Sequence, residues 1–139
     1  MKRIRVVAIG VTFVVLLTHS VWAQQIALTI DDAPCLNSGL YHPMERSQLL
    51  LQHLTEANVS QVAFFVIGTC AASRRGLQRV QMYAEAGHLI ANHSYHHWDF
   101  DKVKPATYTQ DILKAERVIS HLPNFKKWYR APLLHEGTT

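Results

Sequence analysis

A chain of 139 residues, 48% hydrophobic and 17% charged, has the apolar content of one globular domain, with neither a low-complexity linker nor an internal repeat. Its formal charge of +4 is concentrated at the start: residues 1–23 hold Lys2, Arg3 and Arg5 and no acid, which leaves eleven basic against ten acidic groups, or +1, in residues 24–139. No basic stripe remains to neutralise phosphates, so nucleic acid is not an expected partner.

The basic opening runs into an apolar stretch over 6–17 and then Val21-Trp22-Ala23. That stretch is shorter than the ~20 residues of a membrane span, and small residues stand where signal peptidase reads. A secretory signal over 1–23, cleaved after Ala23, is therefore expected, with an uncleaved membrane anchor as the alternative. The mature chain over 24–139 would be secreted or periplasmic. In that compartment Cys35 and Cys70 can either pair or remain two small buried apolar groups, and the spacing leaves both open.

The mature chain starts with Ile26, Leu28 and Ile30 in strand-like alternation, and Ala33-Pro34 stops the strand immediately after the adjacent acids Asp31 and Asp32. Leu49, Leu50, Leu54 and Ala57 mark one face of a helix over 43–57. The apolar run over 62–67 predicts a strand covered on both faces. A helix over 73–86 aligns Leu77, Val80 and Ala84 and stops at Gly87. Leu89, Ile90 and Ala91 predict a third strand, Tyr108, Ile112, Ala115, Ile119 and Leu122 the most regular helix over 105–122, and residues 126–132 a fourth strand. Strand and helix in alternation are the repeating unit of a parallel α/β sheet or barrel. In such folds chemistry collects at the carboxyl ends of the strands.

Asp31, Asp32, His93, His97 and Arg130 all fall at those ends. Two adjacent carboxylates repel each other unless a cation or a shared proton compensates. His93 and His97, four apart on what reads as a helical turn, point the same way and can take two corners of a tetrahedral metal site. Alone, His-x-x-x-His is weak, since a histidine-rich turn is more often a solvated loop. Three such residue kinds at independent strand ends argue for a metallohydrolase.

Thr29-Ile30-Asp31-Asp32-Ala33-Pro34, His93-Ser94-Tyr95-His96-His97 and Arg130-Ala131-Pro132-Leu133 resemble, in order and spacing, the first three motifs of the polysaccharide deacetylases, the NodB-homology group of carbohydrate esterases. Ile30 replaces an aromatic, Ala33 a glycine and Leu133 a frequent Tyr or Phe. The resemblance implies a partial (β/α) barrel of about four βα units that removes acetyl groups from an N- or O-acetylated polysaccharide. It also implies that Asp32, His93 and His97 hold a divalent metal, zinc by expectation. Asp31 would be the general base, Arg130 its partner, the backbone at Leu133 an oxyanion donor and Ser94 the residue that orients the loop. His88, Tyr95, His96, Trp98 and His135 read as structural or substrate-lining.

The same family continues with an Asp- and Trp-containing motif and a late histidine that acts as general acid, and nothing before Thr139 matches them. The chain is thus expected to be the N-terminal portion of a deacetylase domain, or a non-catalytic remnant that keeps the metal site and binds glycan or a partner. A zinc protease of the His-Glu-x-x-His type is the nearest competitor, but Ser94 stands where its glutamate belongs. Asn92-His93-Ser94 and Asn58-Val59-Ser60 also match glycosylation acceptors.

Overall fold

The computed structural model describes residues 26–33, 35 and 40–137; the expected signal segment over 1–23 lies outside them. Four parallel strands, β1 (Thr29–Ala33), β2 (Ala63–Val66), β3 (Leu89–Asn92) and β4 (Phe125–Tyr129), form one sheet in the order β1-β2-β3-β4. The connections carry helices α1 (Pro43–Glu56), α2 (Gly68–Ala71), α3 (Arg74–Glu85) and α4 (Pro105–Ile119), with 3-10 turns at Phe100–Lys102 and Pro132–Leu134. The expected α/β alternation is the observed one.

The helices begin where local chemistry favours a start. Pro43 and Pro105 occupy first-turn positions of α1 and α4, where a missing N–H costs nothing. Ser73 caps α3 by accepting from the Gly76 amide at 3.0 Å. Gly76 itself has no substitute, because a Cβ there would collide with the Cys70 carbonyl where α2 turns into α3.

The core lies between the sheet and these helices. Phe64, Val66 and Ile90 pack against Leu54 of α1, Val80, Tyr83 and Ala84 of α3 and Ile119 of α4. Phe64 stacks on Tyr83 with centroids 4.2 Å apart, and the Tyr83 hydroxyl lies 2.6 Å from Ser47 Oγ, so the phenol is satisfied while its ring is buried. His88 also belongs to this core: it is buried, and its Nδ1 accepts from the Val62 amide at 3.3 Å. On the other face of the sheet Ala63, Phe65 and Ala91 form a smaller cluster, with the Arg130 guanidinium 4.0 Å above the Phe65 ring.

β1 runs through the two aspartates and ends at Ala33, as expected, with a pairing irregularity between Ile30 and Ala33 opposite β2. Two expectations need correction and one short element is additional. β4 ends at Tyr129 rather than near Pro132, although the Arg130 amide still bonds the Asn92 carbonyl at 3.0 Å. The short α2 carries too little periodicity to be read in advance. Residues 93–97 are not a helical turn: Ser94 (φ 65°) and His97 (φ 60°) are left-handed, which breaks any helix.

Cys35 and Cys70 are bridged, with Cα atoms 5.1 Å apart. The bridge ties the segment after β1 to α2, and Arg46 of α1 donates to the Cys35 carbonyl from the side. Closing a loop of 35 residues in the unfolded chain is worth roughly 4 kcal/mol. Cys35→Ser with Cys70→Ser is expected to lower unfolding stability by about that amount, read as a drop in denaturant midpoint; an unchanged midpoint would show the bridge to be energetically idle.

Candidate active site

The two adjacent aspartates are sent to different partners. Asp31 is held by Arg130, whose Nη1 donates to Asp31 Oδ1 at 2.6 Å and to Thr29 Oγ1 at 2.9 Å. Asp32 adopts the left-handed region, φ 58°, at the strand irregularity, and its carboxylate turns instead to the histidines. Asp32 Oδ1 lies 3.4 Å from His93 Nε2 and 3.2 Å from His97 Nε2. A left-handed non-glycine residue costs of order 1 kcal/mol and persists where its surroundings demand it. Here the geometry that demands it is the separation of two carboxylates.

His93 leaves the end of β3 fully buried. Its Nδ1 lies 2.9 Å from the Arg130 carbonyl, which can only accept, so Nδ1 carries the proton and Nε2 presents a lone pair toward Asp32. Arg130 therefore serves both aspartate roles at once: its side chain fixes Asp31 and its carbonyl fixes the ring facing Asp32. Burial holds the His93 pKa below its ordinary value, only partly offset by the Arg130 hydrogen bond and the charges of Asp31 and Asp32.

A proton is thus a poor compensator at this point. A lone pair of His93 and a carboxylate oxygen face each other with His97 Nε2 beside them, all within 4.8 Å of one another, and that donor set fits a divalent cation. Asp31 is not part of the cluster and keeps its carboxylate beside it.

The loop between the histidines is fixed by Ser94 and by two groups that sequence reading passed over, Asn92 and Asp111. Ser94 accepts from the His97 amide at 3.0 Å, as its expected orienting role requires, and its own amide donates to Asn92 Oδ1 at 2.8 Å. Asn92 Nδ2 donates to the Ile112 carbonyl of α4 at 2.9 Å. With its side chain buried and engaged, Asn92 is not open to glycan attachment, whereas Asn58 is exposed. Asp111 of α4, buried, accepts from the Tyr95 and His96 amides at 2.8 and 3.0 Å and also bonds His96 Nδ1. It stands three residues after Tyr108 and four before Ala115, on the buried stripe of α4, and a single acid on an apolar stripe was the signal available.

The remaining aromatic residues brace the same loop. Trp98 stacks on His96 with centroids 4.3 Å apart, and the Lys114 ammonium lies 3.8 Å over the Tyr95 ring. Gly68 lies under that ring, its amide bonding the Ser94 carbonyl at 2.9 Å, and a Cβ there would strike Tyr95. His135 sits between Asp99, 2.7 Å from Nδ1, and Asp101, 3.2 Å from Nε2. It ties the turn carrying Leu133 to the loop beyond His97. Leu133 is left-handed, φ 58°, and 65% exposed, so its side chain contributes no packing.

A family model described as polysaccharide deacetylase matches residues 20–137. The chain belongs to that family. Among polysaccharide deacetylases it is 32% identical over 109 residues to the peptidoglycan-N-acetylglucosamine deacetylase of Bacillus cereus, a span of 78% of this chain and 36% of that protein. It is 35% identical over 96 residues to the chitooligosaccharide deacetylase of Bradyrhizobium sp., 69% of this chain and 39% of that one. The crystal structure of a peptidoglycan N-acetylglucosamine deacetylase in complex with 4-naphthalen-1-yl-N-oxidanyl-benzamide superposes with a TM-score of 0.65 at 30% identity, covering 78% of this chain and 46% of the other. The chain therefore spans well under half the length of these relatives. Polysaccharide deacetylases are generally metal-dependent, and Asp32, His93 and His97 are the candidate metal site.

Asp111→Asn is expected to keep the fold and weaken divalent-metal binding about tenfold or more, as loss of groups that orient ligands does; calorimetric titration of the chelated protein checks it, and unaltered affinity would assign Asp111 to stability alone. The pH dependence follows from His88 and His93, both lowered by burial. In the unfolded chain these rings take up protons below about pH 6.5, whereas the folded state resists protonation. Stability of the metal-free protein is thus complete above that pH and lost as pH falls through and below it. Denaturant midpoints measured from about pH 8 to 5 should decline over the acidic half; a flat profile would contradict the burial effect.

Proposed function

We propose that this chain carries the metal ligands and proton acceptor of an exported hydrolase that removes acetyl groups from an N- or O-acetylated polysaccharide. The observation that supports this most is the division of the paired aspartates: one carboxylate joins two imidazoles, and the other stands beside them under the control of Arg130. In this reading Asp32, His93 and His97 hold the metal. Two imidazoles and one carboxylate suit zinc and leave a position open. When bound, such an ion lowers the pKa of a coordinated water and polarises an acyl oxygen.

The chain's own residues supply the rest. Asp31 accepts the proton of the attacking water as its oxygen adds to the acetyl carbon, and Arg130 keeps that carboxylate aimed by its 2.6 Å hydrogen bond. The backbone N–H at Leu133, whose side chain does little else, is the candidate donor to the developing oxyanion. The bond from the acetyl carbon to the sugar nitrogen or oxygen then breaks as the leaving atom takes the proton that Asp31 accepted, releasing acetate and a free amine or alcohol. The curated relatives act on peptidoglycan and chitooligosaccharide by name, which supports an acetylated glycan as the partner.

The two aspartates give the sharpest test. Asp32→Asn should weaken metal binding by well over tenfold, while Asp31→Asn should leave it within a few-fold and reduce acetate release by about 10²–10⁴. Equal loss of metal in the two variants would overturn the division of roles, and full metal binding after His93→Ala with His97→Ala would overturn the site.

A further inference from the structure

A cavity of about 220 Å³ lies where the end of β4, the first turns of α4 and the two 3-10 turns meet, lined by Phe100, Tyr108, Tyr129, Ala131 and Glu136. None of the candidate metal ligands lines it. Pockets for drug-sized ligands run to roughly 300–1,000 Å³, so this space suits one small head group rather than a length of glycan.

Its walls are aromatic and stand square to one another. Phe100 and Tyr108 meet with centroids 4.9 Å apart at 88°, and Tyr108 and Tyr129 with centroids 6.4 Å apart at 86°. The Tyr129 hydroxyl donates to the Tyr108 oxygen at 2.5 Å, which fixes those two rings against each other. Tyr108 is buried and Tyr129 is 39% exposed, so the box has a fixed inner wall and an outer one that a solute can reach.

Glu136 is the one charged residue on the described lining, and its neighbours on both sides set its position. His135 is pinned between Asp99 and Asp101 at 2.7 and 3.2 Å. Gly137, φ 97°, lies against Phe100, where a Cβ would come within 2.8 Å of the ring. Asp99 and Asp101 are thus already paired, whereas no described residue forms an ion pair or hydrogen bond with the Glu136 carboxylate. Behind the rings, burial, the Tyr108 hydroxyl and the charge of Asp111 all push the Tyr129 phenol above its ordinary pKa, so it stays neutral and sits in a negative field. Lys102, on the same turn as Phe100, acts on Asp99.

Aromatic faces and a carboxylate without a partner attract cations, and an ammonium within about 6 Å of a ring gains most where water is displaced. A calcium or magnesium ion asks for about six or more oxygen ligands, and the lining offers one carboxylate and two phenols bonded to each other. A methylated ammonium meets both features, since its charge is spread over apolar methyl groups that rings can cover. We infer that this cavity binds an alkylated ammonium group of the choline type, held by the rings of Phe100, Tyr108 and Tyr129 and by the Glu136 carboxylate. The site is additional to the proposed acetyl-removing centre and does not depend on it.

The test titrates the full chain with choline, with its neutral isostere 3,3-dimethylbutan-1-ol and with sodium chloride, following the tyrosine ring signals by NMR. Choline should bind at least about tenfold more tightly than the neutral alcohol, with the Tyr108 and Tyr129 rings the ones that respond. Glu136→Gln, at an exposed position that does not endanger folding, should weaken choline about fivefold and leave the alcohol unchanged. Tyr129→Leu should weaken choline about tenfold, whereas Tyr129→Phe, which keeps the ring, should retain most of the affinity. Glu45→Gln on α1 removes the same charge elsewhere and should change nothing. Equal affinity for choline and the alcohol overturns the inference, because the cavity is then only an apolar hollow. So does choline binding indifferent to both Glu136→Gln and Tyr129→Leu, or displacement of choline by an equal concentration of sodium, which would make it an inorganic cation site. Choline binding is read without turnover, so loss of acetate release leaves this site standing, and absence of choline binding leaves the deacetylase reading intact.

Discussion

Two neighbouring carboxylates at one strand end repel each other unless something compensates, and the architecture around Asp31 and Asp32 gives each its own partner. A regular strand would place successive side chains on opposite faces but would not by itself turn either carboxylate toward that partner. The left-handed conformation at Asp32 aims one carboxylate at the histidines, and Arg130 anchors the other from just beyond β4, three strands away. Substituting Arg130 would strand Asp31 yet keep the backbone carbonyl that the His93 ring bonds, so the two contributions of this residue are separable.

The same economy governs the loop after β3. Its backbone cannot be helical, because Ser94 and His97 are left-handed, so its amides need partners from outside. Asn92, Ser94 and Asp111 supply them, and through Asn92 and Asp111 the loop is registered against α4. The helix that packs the core thus also fixes the spacing of the imidazoles. A substitution that shifts α4 along the sheet would be felt at the metal ligands without touching one of them.

Much of this was legible in the residues, for identifiable reasons. The strands at 63–66 and 89–92 are short apolar runs with clear stops, and α4 repeats its apolar positions without a break, so periodicity alone places them. The three ligands and Arg130 could be named because they fall at strand ends within recognisable motifs. What could not be read was conformation that carries no compositional mark: the left-handed backbone of Asp32 within its strand, the non-helical path from His93 to His97, and the four-residue α2. Left-handed Asp, Ser, His and Leu are imposed by tertiary contacts, since only glycine advertises such geometry in advance. The disulfide belonged to the same class, as two cysteines 35 positions apart do not reveal whether their backbones meet.

The consecutive strand order sets the sequence in which the site can come together. All three candidate metal ligands are present once the chain has reached His97, and bringing Asp32 to His93 requires only the first three strands to pair. The proposed proton acceptor, Asp31, is different. Arg130 must close a separation of 99 residues to reach Asp31 and 37 to reach His93, so both wait for β4 to dock. Long-range closures of this kind form late and slow folding. A chain that has laid down β3 but not β4 would already hold the three candidate ligands, while Asp31 would still lack Arg130. A cation bound by those three would precede, and help to organise, the last strand.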